Sequence, residues 1–267
     1  MPSRLDLLPL DKSKPGFYDE PAFLAAEEKD KTLLDAYAGY IDGLALDEVY
    51  LDRARNSVLR SAKFLHQWLL KDGRKGACID VSQMLSRFLE QQGVWNYIVK
   101  GATAIYPSPH TRLEPKFHWL YDSDGDPSAK ASHAWLCAPP FRIVDLTLGR
   151  QQNSGNEDRY LGEPILAEHV SQGVARIEEV FDPAIRAAYQ RQLGRPVSMK
   201  DLSEIDPALV AKLNRRGSWQ VELTDLSVRY VGVAVTAPDQ PFEKARGWSM
   251  CGKFGWDLWL EFQRRAP

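Results

Sequence analysis

Between residues 46 and 71 apolar side chains recur at steps of three or four: Leu51, Ala54, Val58, Ala62, Leu65 and Leu69. That period predicts one long amphipathic helix. Asp72-Gly73 closes it, because glycine supplies the left-handed turn a helix end needs. A second helix is expected from Cys78 to about Gln92, with Val81, Leu85, Phe88 and Leu89 on one face and Gly93 at its end. Beyond Gly93 the pattern changes. Trp95–Gly101 and Ala102–Tyr106 are rich in strand-forming residues, and His133–Cys137 and Phe141–Leu146 flank Ala138-Pro139-Pro140. Helices and strands are segregated rather than alternating, which predicts an α+β fold with an antiparallel sheet.

The remaining segments fill in around this frame. Residues 1–20 are irregular, and 21–41 are helical in composition. Residues 107–131 read mostly as loop, and 149–158 as a polar connector. Helices are expected at 163–172, 183–193 and 199–215, with Asp182 as N-cap and Pro183 in the first helical position. Strands are expected at Ser218–Thr224, Leu226–Thr236 and Trp256–Phe262. Aromatic residues crowd 242–262, so that end should pack onto the body. The organisation is an N-terminal helical segment (1–45), a core (46–150) and a helical, then β-rich extension (151–267).

The chain has 267 residues, 44% of them hydrophobic, enough for a sizeable core. A net charge of −2 and a pI near 6.2 give no sign of attraction to nucleic acid or to a membrane surface. The Leu-containing stretch Met1–Leu10 is too short for a signal peptide or a membrane span, so a soluble, cytoplasmic protein is expected. Cys78, Cys137 and Cys251 are widely spaced and form no CxxC pair. That argues for reduced thiols and against a structural zinc site. His133 and Cys137 on one strand lie about 13 Å apart, too far for one ion. No metal and no cofactor are expected.

The chemistry-bearing residues are Cys78, His133 and Asp145. Cys78 opens a helix, where unpaired amides and the dipole favour a thiolate and can stabilise an oxyanion. Gly76 and Ala77 before it are small and allow close approach of a substrate. A lone buried cysteine is as commonly a packing residue. If Ala138-Pro139-Pro140 is a three-residue hairpin loop, His133 faces Asp145 directly and Trp135 faces Ile143. A carboxylate opposite His133 would fix its tautomer and stabilise the imidazolium. His118, before Trp119, is the competing base. Gln67 and Trp68 could reach the cleft from the preceding helix, although helix packing is the simpler role. Lys71, Arg74 and Lys75 could attract an anionic substrate, although a solvated surface is the simpler reading. Cys251 reads as a small packing residue, and the glycines around it as a turn.

Gly76-Ala77-Cys78, Gln92-Gly93-Val94, Tyr97-Ile98-Val99-Lys100-Gly101, His133-Ala134-Trp135 and Asp145-Leu146-Thr147 together resemble the transglutaminase-like superfamily of cysteine enzymes. The resemblance covers about residues 60–150. It departs from the family pattern where Asn96-Tyr97 replaces a strand arginine, and the segment between Gly101 and His133 is longer than in compact members. The resemblance implies a papain-like core, a Cys-bearing helix packed on an antiparallel sheet. It implies Cys78 as nucleophile, His133 as general base and acid, and Asp145 as its orienter. Gly76, Ala77, Trp135 and Gln67 would line the substrate site. The substrate would be a peptide, protein or small acyl compound, cleaved by a peptidase- or deamidase-type hydrolysis. Transfer of the acyl group to an amine is an alternative, and so is a non-catalytic binding or scaffold protein that keeps the fold. Oligomeric state is not legible.

Overall fold

The computed structural model of the chain describes residues 4–120, 133–151, 161–238 and 240–265. In chain order the elements are α1 (Pro21–Glu27), α2 (Leu33–Asp42), α3 (Glu48–Asp72), α4 (Cys78–Gln91), β1 (Tyr97–Pro107), β2 (Lys116–His118), β3 (His133–Ala138), β4 (Phe141–Asp145), β5 (Ile165–Ala167) and β6 (Ser171–Gly173). There follow α5 (Ile177–Val180), α6 (Pro183–Leu193), α7 (Met199–Ile205), α8 (Pro207–Arg216), β7 (Ser218–Glu222), β8 (Leu226–Thr236), β9 (Ser249–Met250), β10 (Lys253–Phe254) and α9 (Gly255–Arg265). The fold is α+β, and the registered strand pairs are antiparallel. The chain divides into two compact units: residues 1–98, 135–168 and 235–267 form the first, and 99–134 with 169–234 the second.

The first unit is built on α3 and α4. Asp47 caps α3 by accepting the Tyr50 N–H at 2.8 Å, and Gly73 ends it at φ 70°. The apolar stripe is buried as its period requires: Ala54, Val58, Ala62, Leu65 and Leu69 are 0% exposed. Helix α3 packs on α4. Phe64 and Phe88 bring their rings to 6.1 Å, and from α9 Trp259 and Phe262 approach Phe88 at 5.2 and 5.5 Å. A second aromatic group gathers Phe17, Phe23, Tyr37, Tyr40 and Trp95 edge to face. The strands run in the order β5-β4-β3.

In the second unit β2 pairs with β1, and β8, β7 and β6 follow side by side. Helices α5, α7 and α8 contribute Val180, Leu202, Leu209 and Leu213 to an apolar cluster with Ala102, Val231 and Val233. Glu179, 0% exposed, is held by the Arg229 guanidinium, which also donates to the Val174 carbonyl at 2.7 Å and the Ser218 hydroxyl at 3.0 Å.

Several expected elements are corrected. The stretch 21–41 is two helices, α1 and α2, interrupted around Asp30 and Thr32, where the Asp30 carboxylate accepts the Thr32 N–H and hydroxyl instead of letting the helix continue. The strand expected over 95–106 in two pieces is the single strand β1. The helix expected at 163–172 is two short strands. Pro164 biases Glu163 to extended backbone, and β5 then completes a ladder with β4, pairing Asp145 with Ile165. The helix at 199–215 breaks at Asp206-Pro207, and Asp206 caps α8. The expected strand Trp256–Phe262 is helix α9, which buries Leu258, Trp259 and Phe262. Cys251, read as a small packing residue, is exposed at φ 50° in the β9–β10 turn. The expected loops 121–131 and 152–158 lie outside the described residues.

Candidate active site

Cys78 is the first residue of α4 and is 7% exposed. Ala77 stands at the N-cap without a capping side chain, so the first-turn amides are not consumed by one. The linker from Gly73 to Ala77 is fixed on several sides. Gly76, at φ 71°, donates its N–H to the Arg150 carbonyl at 2.9 Å. Only glycine adopts that backbone without strain. The Gly76 amide is therefore committed to the chain. Arg74 donates to Asp80 in the first turn of α4 at 2.9 Å and to the Ser249 carbonyl at 2.9 Å. Asp72, the last residue of α3, accepts the Cys251 N–H at 2.5 Å. The Arg74 cation thus holds the carboxylate nearest in sequence to Cys78, which would otherwise repel a thiolate.

Asp145 ends β4 and is 2% exposed. Its Oδ1 accepts from the Thr147 N–H at 2.9 Å, the Thr147 hydroxyl at 3.2 Å and the Leu148 N–H at 3.1 Å. This aspartate turn shapes the 3-10 turn Leu148–Arg150, whose last carbonyl receives Gly76. Two sequence-expected residues are therefore joined by a short chain of hydrogen bonds: Asp145 orders the turn, and the turn holds the linker that ends at Cys78. The turn is tight, since a Cβ on Gly149 would stand 2.1 Å from the Leu161 carbonyl oxygen.

The β3–β4 register differs from expectation. The connection is two residues, Pro139-Pro140, joined by a cis peptide, and not the three-residue loop Ala138-Pro139-Pro140. Ala138 pairs with Phe141 and Leu136 with Val144. Arg142 and Ile143 thus stand opposite Cys137 alone, a β-bulge that shifts the ladder. Trp135 is not opposite Ile143, and the direct pairing of His133 with Asp145 is not the register formed. Alternation still puts Asp145 on the same face as Trp135, because both neighbour the Leu136–Val144 pair. His133 is the first residue of β3 and is 1% exposed.

His118, weighed as a competing base, ends β2 opposite Thr103. Its ring lies 6.3 Å from that of His133, at 30° between planes. Nothing in the spacing of residues 118 and 133 announced this stacking. Of the other expected site residues, Ala77 and Trp135 are buried and Gln67 is exposed on α3. Gln67 lines a groove of about 530 Å³ with Leu59, Leu70, His66, Glu163 and Leu166. A solvated surface is the simpler of the two sequence readings of Arg74; its bond to the Ser249 carbonyl is not legible because Ser249 is 175 residues away.

Among the described residues no cluster of three or more His, Cys, Asp or Glu could hold a metal ion, and no helix is long and apolar enough to cross a membrane. Comparison with protein-family models, with curated proteins and with solved structures finds no match.

Proposed function

We propose that the chain is a transglutaminase-like cysteine enzyme with a papain-like core, acting on an amide or other acyl carbonyl, most simply by hydrolysis. The observation that carries this reading is Cys78 itself: a thiol at the first position of a 14-residue helix, with no side chain capping the first turn and the neighbouring acid drawn to Arg74. The first-turn amides and the helix dipole are the groups that an anionic sulfur or an oxyanion formed there would meet. His133 and Asp145 support the reading as a base and a carboxylate that are both buried, at 1% and 2% exposure, on the β3–β4 hairpin.

In this mechanism His133 takes the Cys78 thiol proton, the sulfur attacks the carbonyl carbon, and His133 passes that proton to the leaving amine. The C–N bond breaks and a thioester remains. Water, deprotonated by His133, then attacks the thioester, and the acid leaves as the thiol is restored. First-turn amides of α4 are the donors for the developing oxyanion. The acyl substrate is a peptide, a protein side chain or a small amide.

The test is alkylation of Cys78 by a small reagent across pH, with the site assigned by mass spectrometry. An ordinary thiol is only a few per cent thiolate at neutral pH. Cys78 should therefore label about tenfold faster than a free cysteine at pH 7, and His133→Ala should remove that advantage. Labelling no faster than free cysteine, and indifferent to His133→Ala, would favour a binding protein that keeps the fold.

A further inference from the structure

A second cluster of polar groups lies in the first unit, around the β3–β4 turn. Here the end of α2, the connection from α2 to α3 and the Pro139-Pro140 turn enclose a pocket of about 290 Å³. Leu44, Leu46, Leu51, Pro139 and Phe141 supply apolar lining. Asp42, Arg142 and Cys137 supply the polar groups. They are ordered from below. The Tyr97 hydroxyl, whose residue is 7% exposed, donates to both Asp42 carboxylate oxygens at 3.0 Å. Burial, reinforced by Cys137 and Asp42, pushes the Tyr97 hydroxyl well above its ordinary range, so it stays protonated and keeps donating. Asp42 in turn accepts one Arg142 N–H at 3.3 Å. Cys137 donates its thiol hydrogen to the Arg142 carbonyl at 3.0 Å, fixing the bulge from which the arginine side chain springs.

The hydrogen-bond balance of this cluster is uneven. Asp42 receives donors on both oxygens. Arg142 carries five N–H groups and commits one of them to Asp42, with its side chain 51% exposed. The head group that this pocket still accommodates is therefore an acceptor with negative charge and planar geometry, which a guanidinium meets with two parallel bonds. The apolar walls require a hydrocarbon body. The volume stands at the small end of ligand pockets, which restricts that body to a short chain or a single ring.

We propose that this pocket binds a small organic carboxylate, with its carboxylate on Arg142 and its aliphatic or aromatic body between Leu44, Leu46, Leu51 and Phe141. The inference is independent of the activity proposed for Cys78. Asp42 and Tyr97 act as positioning residues: they hold the guanidinium at the mouth.

Cys137 is a reporter within the pocket and the exposed Cys251 a reporter outside it. The experiment follows alkylation of both cysteines in the full chain by mass spectrometry, with octanoate, octylamine or octanol added. Octanoate at ten times its dissociation constant should slow Cys137 labelling about tenfold and leave Cys251 unchanged. Octylamine and octanol at the same concentration should protect far less. Arg142→Gln, an exposed substitution, should raise the octanoate concentration for half-protection about tenfold, the loss of one charge-assisted contact. Calorimetric titration of octanoate into both proteins gives the same comparison without relying on the thiol. Equal protection by octanol, equal slowing of Cys251, or an unchanged half-protection concentration in Arg142→Gln would overturn the proposal. So would absence of octanoate binding by both methods.

Discussion

At the scale of single residues, Asp145 carries two roles that substitution can separate. Its Oδ1 orders the turn to Leu148, a geometric task that any well-placed oxygen performs. Its charge is what the proposed mechanism uses. Asp145→Asn keeps an acceptor oxygen for the turn, whereas Asp145→Ala removes it and should cost about 1–2 kcal/mol, as loss of a capping oxygen does. Stability to urea should therefore fall clearly in the alanine variant and little in the asparagine variant. The rate of Cys78 alkylation at pH 7 should fall in both. An asparagine variant that labels like the wild type would reduce Asp145 to a turn residue. The sequence made Asp145-Leu146-Thr147 visible by its resemblance to a family motif, and not as the turn that it forms. It did not reveal the partner across the turn, the Arg150 carbonyl that holds Gly76, because that contact joins segments more than seventy residues apart.

At the scale of elements, legibility followed locally encoded signals. Helix α3 was readable from its period, its end at Gly73 from the Asp72-Gly73 step, and helix α6 from Asp182-Pro183. Strand β8 was readable as an apolar run rich in branched residues. Helix α9 was misread because Trp256, Trp259 and Phe262 have strand-forming side chains. Their spacing instead sets Trp259 and Phe262 against Phe88, and packing overrode propensity. The register of β3 on β4 was misread because it depends on one bulge, and a bulge has no signature in the alternation around it. Helix α7 shows how a capping charge makes an element pH-dependent. Ser198 and Asp201 form a reciprocal capping box, and Asp201 accepts the Ser198 N–H at 2.9 Å. Arg195, then Ser198, hold the Asp201 carboxyl well below its ordinary value of 3.8. A lowered folded pKa stabilises above the unfolded value and loses that contribution as pH falls through the folded one. Asp201→Asn should therefore melt below the wild type at pH 7, with the gap shrinking as pH falls below 3.8. A gap of constant size down to pH 2 would mean that the shape of the cap matters and its charge does not.

At the scale of the molecule, each compact unit is assembled from segments far apart in the sequence. The first unit returns to the C-terminal end of the chain for β9, β10 and α9. The resemblance that spans about residues 60–150 ends before three of its supports. Strand β5 completes the ladder on β4 that carries Asp145. The Ser249 carbonyl and Cys251 N–H fasten Arg74 within the linker to Cys78 and Asp72 just before it. Trp259 and Phe262 cover Phe88, which is 0% exposed. A fragment of residues 1–150 would expose that ring and its neighbours, and a large apolar side chain left in water forfeits about 1.5–3 kcal/mol. Several such side chains together exceed a usual domain's margin of stability. The fragment should therefore lack near-ultraviolet circular dichroism and be cut by chymotrypsin at concentrations the full chain survives. Its Cys78 should label at the rate of an ordinary cysteine. A fragment that resists the protease and labels like the full chain would show that α3, α4 and the β3–β4 hairpin suffice for the site, and that the C-terminal helix only shields it.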